Sequence, residues 1–119
     1  MVKSIKKIIC FDLDGVICTT KKKQYFSAKP KKGVIKIINQ LYKEGYLIKI
    51  FTARFMGRNN ENILKAKKQG YKKTLLQLHS WNIKFDKLIF GKPSFDLFID
   101  DKSIFFKKNW HKAIKKILK

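Results

Sequence analysis

The sequence predicts an α/β protein: a small parallel sheet with helices packed outside it, in one domain spanning residues 1–119. Three observations carry this. Four short apolar runs alternate with stretches of helical periodicity. Three of the runs are nearly continuous in apolar character, as strands covered on both faces are. Acidic residues, only eight in the chain, cluster where two of the runs end. Strand, helix, strand in succession implies right-handed crossovers and parallel pairing. Ligands of such sheets bind beyond the carboxyl ends of the strands.

The first run, residues 7–13, contains Asp12 and is followed by Asp14 and Gly15, where the chain is free to turn sharply. Residues 15–29 suffice for a short flap, with 16–20 turning at Lys21 to Lys23 into 24–27. Pro30 is placed to open a helix whose face carries Val34, Ile37, Ile38 and Leu41, and Gly45 suits its end. The second run, 47–51, leads into Thr52. Asn59 or Asn60 is placed to cap a helix starting near Glu61. There Ile63, Ala66, Gly70, Tyr71, Thr74, Leu75 and Leu78 keep a three-to-four spacing as far as Trp81. That pattern is one long helix, or two meeting at Gly70. The third run, 87–90, precedes Gly91 and Lys92; the fourth, 97–99, precedes Asp100 and Asp101. Trp110, Ala113, Ile114, Ile117 and Leu118 predict an amphipathic closing helix.

A net charge of +21 attracts polyanions: nucleic acid, an anionic membrane or phosphorylated substrates. All but two of the 29 basic residues are lysine, the exceptions being Arg54 and Arg58. Base readout and bidentate phosphate clamping favour arginine, so the excess reads mainly as solvated surface and compositional bias. No stretch approaches the ~18 uncharged apolar residues of a membrane span. The basic-then-apolar start runs straight into Asp12 and Asp14 without a cleavage-site pattern, and reads as a first strand rather than a signal peptide. Cys10 and Cys18 form no CxxC pair. A cytoplasmic protein with reduced thiols is expected.

Alternation along a strand places Asp12 and Asp14 on one side. If the fourth run neighbours the first, Asp100 and Asp101 arrive beside them. Carboxylates ~4 Å apart repel by ~4 kcal/mol at an effective dielectric near 20, so such a group needs a counterion. Hard oxygen ligands suit Mg²⁺. A calcium loop is excluded because Val16 stands at the next alternate position. Thr52 adds a hydroxyl donor and Lys92 a cation. Nucleophile, second acid, metal and donors together are the parts that phosphoryl transfer uses. His79 and His111 have no partners for a triad or a zinc site.

FDLDGV, FTAR, GKP and FIDD, in that order over residues 8–103, resemble the four motifs of the haloacid dehalogenase (HAD) superfamily. The resemblance implies a three-layer α/β/α Rossmann-like core and a Mg²⁺-dependent phosphoric monoester hydrolase. Asp12 would form an aspartyl-phosphate, and Asp14 would serve as general acid and then base. Thr52 and Lys92 would bind the phosphoryl group. Asp12, the backbone carbonyl of Asp14, and Asp101 would hold the metal, supported by Asp100. Many members carry a cap domain, for which there is no room here. The chain thus resembles short capless phosphatases associated with bacterial capsule and surface-sugar biosynthesis. That implies a small phosphorylated, sugar-linked metabolite as substrate. Capless sites admit larger substrates or are closed by a neighbouring subunit, which makes a homo-oligomer an expectation. The charge keeps a second expectation, action on or binding of nucleic-acid ends. A signalling receiver domain is excluded because its acids, Thr and Lys come in a different order. Arg54 and Arg58 have two readings, a clamp on the leaving group or a helix-start and salt-bridge role. Tyr25 and Phe26 in the flap either cover a substrate or pack on the core.

Overall fold

The computed structural model describes residues 7–104 and 110–118. Its centre is a parallel sheet in the order β1-β4-β5, formed by Ile8–Asp12, Leu47–Thr52 and Lys87–Phe90. A two-stranded antiparallel hairpin of β2 (Cys18–Thr19) and β3 (Lys29–Pro30) stands apart from it. Three α-helices, α1 (Lys32–Lys43), α2 (Ile63–Ser80) and α3 (Trp110–Ile117), and two short 3₁₀ turns, Tyr25–Ser27 and Gly57–Asn59, complete the described residues. This is the expected α/β fold with a small parallel sheet, and no cap domain interrupts it among the described residues.

Register brings the strand ends level: Asp12 lies opposite Phe51, and Thr52 opposite Phe90. In β4 the alternate residues Ile48, Ile50 and Thr52 are buried, whereas Leu47, Lys49 and Phe51 are half-buried. The near-continuous apolar strand expected from sequence is therefore a one-sided one, with its second face only partly covered. Val34, Ile38 and Leu41 of α1, together with Ala66 and Leu78 of α2, join Phe11, Ile48, Ile50, Leu88 and Phe90 in the core. Trp110 brings α3 against Phe11, ring centroids 5.9 Å apart. Asp86 pins the entry to β5: its carboxylate accepts the Ile48 N–H at 2.7 Å, and its own N–H donates to the Ile48 carbonyl at 2.8 Å.

Pro30 does not open the first helix. It pairs with Cys18 in the hairpin, and α1 begins two residues later. α2 is a single helix running through Gly70, capped by the Asn62 side chain, which accepts the Lys65 N–H at 3.0 Å. Gly70 is required there: a Cβ at this position would run into the ring of Phe55.

The fourth run does not form a strand. Leu97 and Ile99 are 78% and 88% exposed, and the far edge of β1 receives no partner among the described residues. Three apolar residues offer few ladder bonds against the entropy of docking them. Local contacts compete: Phe95 packs edge-on against Phe98 at 4.9 Å, and both rings lie under the Lys92 ammonium.

Candidate functional site

The first strand ends in a tight loop. Val16, Ile17 and Cys18 all direct their N–H groups at the Leu13 carbonyl, and Gly15 adopts φ +90°, a conformation that favours glycine. The Asp12 carboxylate accepts the Leu13 N–H at 2.9 Å, which fixes it at the strand's carboxyl end. Asp14, after the bend, accepts from the Thr20 hydroxyl and the Cys18 thiol. Burial pushes the Cys18 thiol above its ordinary pKa.

Two ion pairs organise the site. Lys92, following β5, places its ammonium 3.1 Å from Asp12 Oδ2, and its backbone N–H donates to the Thr52 carbonyl. Arg54, two residues beyond β4, grips Asp14 with both ends of its fork: Nε to Oδ2 and Nη2 to Oδ1, each 2.9 Å. The Arg54 side chain is wholly buried. Its Nη1 donates to Gln77 Oε1 at 2.7 Å and to Thr74 Oγ1 at 3.4 Å, both on α2. Gln77 in turn donates from Nε2 to the Tyr25 carbonyl at 2.8 Å, which ties the flap to α2. Such an interior charge is tolerated because every strong donor has an acceptor.

These groups line a cavity of about 280 Å³, whose walls include Asp12, Asp14, Lys23, Tyr25, Arg54 and Lys92. Strands β1, β4 and β5 open onto it at their carboxyl ends, as expected for a parallel sheet. Asp12, Asp14, Arg54 and Lys92 are thus brought together. Thr52 lies behind the wall: it is buried, and its hydroxyl oxygen accepts the Arg54 N–H at 3.1 Å. Arg54 combines the two readings open to it, since it is an ion-paired residue that also faces the cavity. Arg58 is exposed, stacked 4.6 Å from the Phe55 ring centroid and 5.7 Å from that of Tyr25. Tyr25 and Phe26 pack on Phe55, yet Tyr25 also lines the cavity.

The expected four-acid cluster does not form. Asp100 and Asp101 sit in an exposed turn, because the run before them is not docked as a strand. The Lys102 N–H donates to the Asp100 carboxylate at 3.0 Å and, with its neighbours, holds it below the usual carboxyl range. No group of three or more acidic, histidine or cysteine side chains suited to a metal exists among the described residues. The donor chemistry meets the minimum for magnesium at one residue. Asp12 is a hard carboxylate, about a third exposed, facing an open cavity, and Mg²⁺ is commonly held by one or two carboxylates with water and phosphate. Asp14 is the less open of the two acids: its side chain is a quarter exposed, and Arg54 bonds to both its oxygens.

Sequence reasoning did not single out Thr20, Lys23, Gln77 or Ser94 for the site. Lysine and glutamine on exposed segments carry no sequence signal; only the folded contacts select them.

No family model and no curated protein matches the chain. Among solved structures, a target protein from Vibrio cholerae superposes with a TM-score of 0.78 at 22% identity, covering 95% of this chain and 99% of that one. A chain of the Pnkp1/Rnl/Hen1 complex superposes with a TM-score of 0.56 at 16% identity; the match covers 98% of this chain but 35% of the longer one. A chain of the Pnkp1/Rnl/Hen1 RNA repair complex gives 0.52 at 15%, over 95% and 32%. These likenesses establish the α/β fold.

Proposed function

We propose that the protein is a phosphomonoester phosphatase of the HAD type, working through Asp12. The observation that carries this is the placement of Asp12 and Lys92 at the ends of strands flanking β4, with the Arg54–Asp14 pair in the same cavity. The Asp12 carboxylate attacks phosphorus in line, forming an acyl-phosphate bond as the P–O bond to the leaving group breaks. Asp14 carries the proton that the leaving oxygen takes up. Its Oδ2 makes one hydrogen bond, to Arg54, so a lone pair remains there for that proton. Arg54 holds the carboxyl in place for both halves of the reaction. In the second half, water attacks phosphorus and gives up a proton to Asp14 as the bond to Asp12 breaks, releasing inorganic phosphate and restoring the Asp12 carboxylate. Lys92 lies where it offsets charge on the phosphoryl oxygens. Magnesium belongs to this reading: Asp12 would hold it, and the ion would supply neutralisation of phosphoryl charge. The cavity suits a sugar-sized leaving group, in keeping with a small sugar-linked phosphate.

The test is phosphate release from a panel of sugar phosphates, nucleotides and 3′-phosphorylated oligonucleotides, with Mg²⁺ and with EDTA. Asp12→Asn is expected to lose activity by roughly a thousandfold or more, the scale on which enzymes suffer the loss of a nucleophile. Equal release from wild type and variant would sink the proposal.

A second reading, action on nucleic-acid ends, is favoured by one surface. α2 contains no acidic residue and exposes Lys65, Lys67, Lys68, Lys72 and Lys73, the last lying over the 44%-exposed Phe26 ring. Cations beside an exposed aromatic suit a single strand. A steep fall of affinity with salt would select this reading over the metabolite.

A further inference from the structure

We propose that the mouth of the cavity is a second anion site, built from Lys23 and Arg58, which binds a carboxylate or a further phosphate on the substrate's leaving group. It rests on the phosphatase reading of Asp12 for which group is the leaving group, but not for the site itself.

The partition of charge is the first observation. Arg54 and Lys92 are each matched to a carboxylate, Asp14 and Asp12. Lys23 also lines the cavity, and Arg58 borders it through Tyr25. Neither has a carboxylate partner among the described residues. Among the described residues Lys23 and Arg58 thus make no ion pair, whereas Arg54 and Lys92 do; the acid on this side is Glu61, whose carboxylate accepts the Ser94 N–H at 2.7 Å.

The second observation is the backbone that puts Lys23 there. Lys22 and Lys23 adopt φ +46° and +60°, consecutive left-handed residues at the tip of the flap. Lysine enters that region at a cost, and strain of this kind concentrates at ligand-binding segments. The bend carries the Lys23 ammonium across to the opposite wall. A Cβ built on Gly57 would lie 3.5 Å from Lys23 Nζ and 3.7 Å from Ser94 Oγ. Flap, the loop after β4 and the loop after β5 therefore converge beside Gly57.

The third observation is the pose of Arg58, the next residue. Its guanidinium carbon lies 4.6 Å from the Phe55 ring centroid and 5.7 Å from that of Tyr25, and the residue is exposed. Lys23 and Ser94 line the cavity, and Arg58 follows the lining residue Gly57 and lies on the lining residue Tyr25; an ammonium, a hydroxyl and a guanidinium so grouped match a carboxylate or phosphate. The substrate class is then a phosphomonoester bearing a second anionic group.

The test uses Asp12→Asn protein, so that ligands bind without turnover. Calorimetric titration would compare glycerol 3-phosphate with 3-phosphoglycerate, which adds a carboxylate, and with 2,3-bisphosphoglycerate, which adds a phosphate as well. At least one of these two ligands is expected to bind about 10-fold tighter than glycerol 3-phosphate. That preference should collapse in Lys23→Gln and Arg58→Gln, survive in Lys23→Arg, and persist in Lys36→Gln, which removes an exposed charge from α1. The two added groups tell carboxylate from phosphate recognition. Equal affinities, or a preference that the two glutamine variants leave intact while their unfolding midpoints match the parent's, would overturn the site. A preference lost equally in Lys36→Gln would also overturn it, since general charge would then be its source. If the preference holds but wild type releases phosphate from none of the ligands, the phosphatase reading falls and the anion site stands.

Discussion

Arg54→Met removes a cation from the interior while roughly keeping its length. The Asp14 carboxylate would then lose both ends of the guanidinium fork, and Gln77 and Thr74 would lose their shared donor. Breaking one side of a buried ion pair costs about 3–5 kcal/mol. Asp14 is a quarter exposed, so water recovers part of that, and the lower end of the range applies. The orphaned Gln77 oxygen adds about 1 kcal/mol. A loss of about 3–4 kcal/mol is expected, a large share of the ~5–15 kcal/mol that holds a domain together. Urea unfolding followed by circular dichroism measures it as a shift in midpoint at constant slope. The double variant Asp14→Asn/Arg54→Met should recover about 2 kcal/mol relative to additivity, because the stranded charge is gone. A single-variant loss below about 1 kcal/mol would refute the electrostatic account. So would a large loss with no coupling, which would make Arg54 merely a space-filling residue.

Gly70→Ala sets two rules against each other. Helix propensity alone favours alanine by about 1 kcal/mol, whereas the clash with the Phe55 ring predicts a net loss of about 1–3 kcal/mol that Phe55→Leu relieves. A stabilised Gly70→Ala protein would show that the notch is not tight. Cys18 supplies a pH dependence. Its folded pKa is raised, so on passing pH ~9 the unfolded chain gives up the thiol proton first, and stability falls until the folded thiol also ionises. Wild type should therefore lose stability faster than Cys18→Ala above pH ~9, with the two slopes converging below it. Iodoacetamide at neutral pH should label exposed Cys10 before buried Cys18, which mass spectrometry of peptides resolves.

Elements set by local periodicity were legible in the sequence. The face of Val34, Ile38 and Leu41 and the long spacing from Ile63 to Leu78 are properties of one segment each, and both helices are there. That Asp12, Asp14, Arg54 and Lys92 meet around one cavity was legible because strand ends in a parallel sheet converge whatever the side chains do. The failures depend on competition between distant partners. The run 97–99 has strand composition, but the Phe95–Phe98–Lys92 contact takes its aromatic residue and leaves Leu97 and Ile99 in solvent. With it went the placement of Asp100 and Asp101. Thr52 is at the expected strand end but turned to the backbone of Arg54. Gln77 has the look of a surface residue on a lysine-rich helix, and only the arrival of Arg54 and Tyr25 gives it a task.

The amide of Gln77 has a further consequence for how the flap moves. Its oxygen end serves Arg54 and its nitrogen end serves the Tyr25 carbonyl, and a planar amide cannot turn to improve one bond without spoiling the other. Lifting the flap thus frees an amide to swing, and a swinging amide deprives the guanidinium of its strongest α2 acceptor. Arg54 then has more freedom to relax its hold on Asp14. The flap's tie to α2 and the grip on the cavity's second carboxylate are in this way joined through one side chain of the helix.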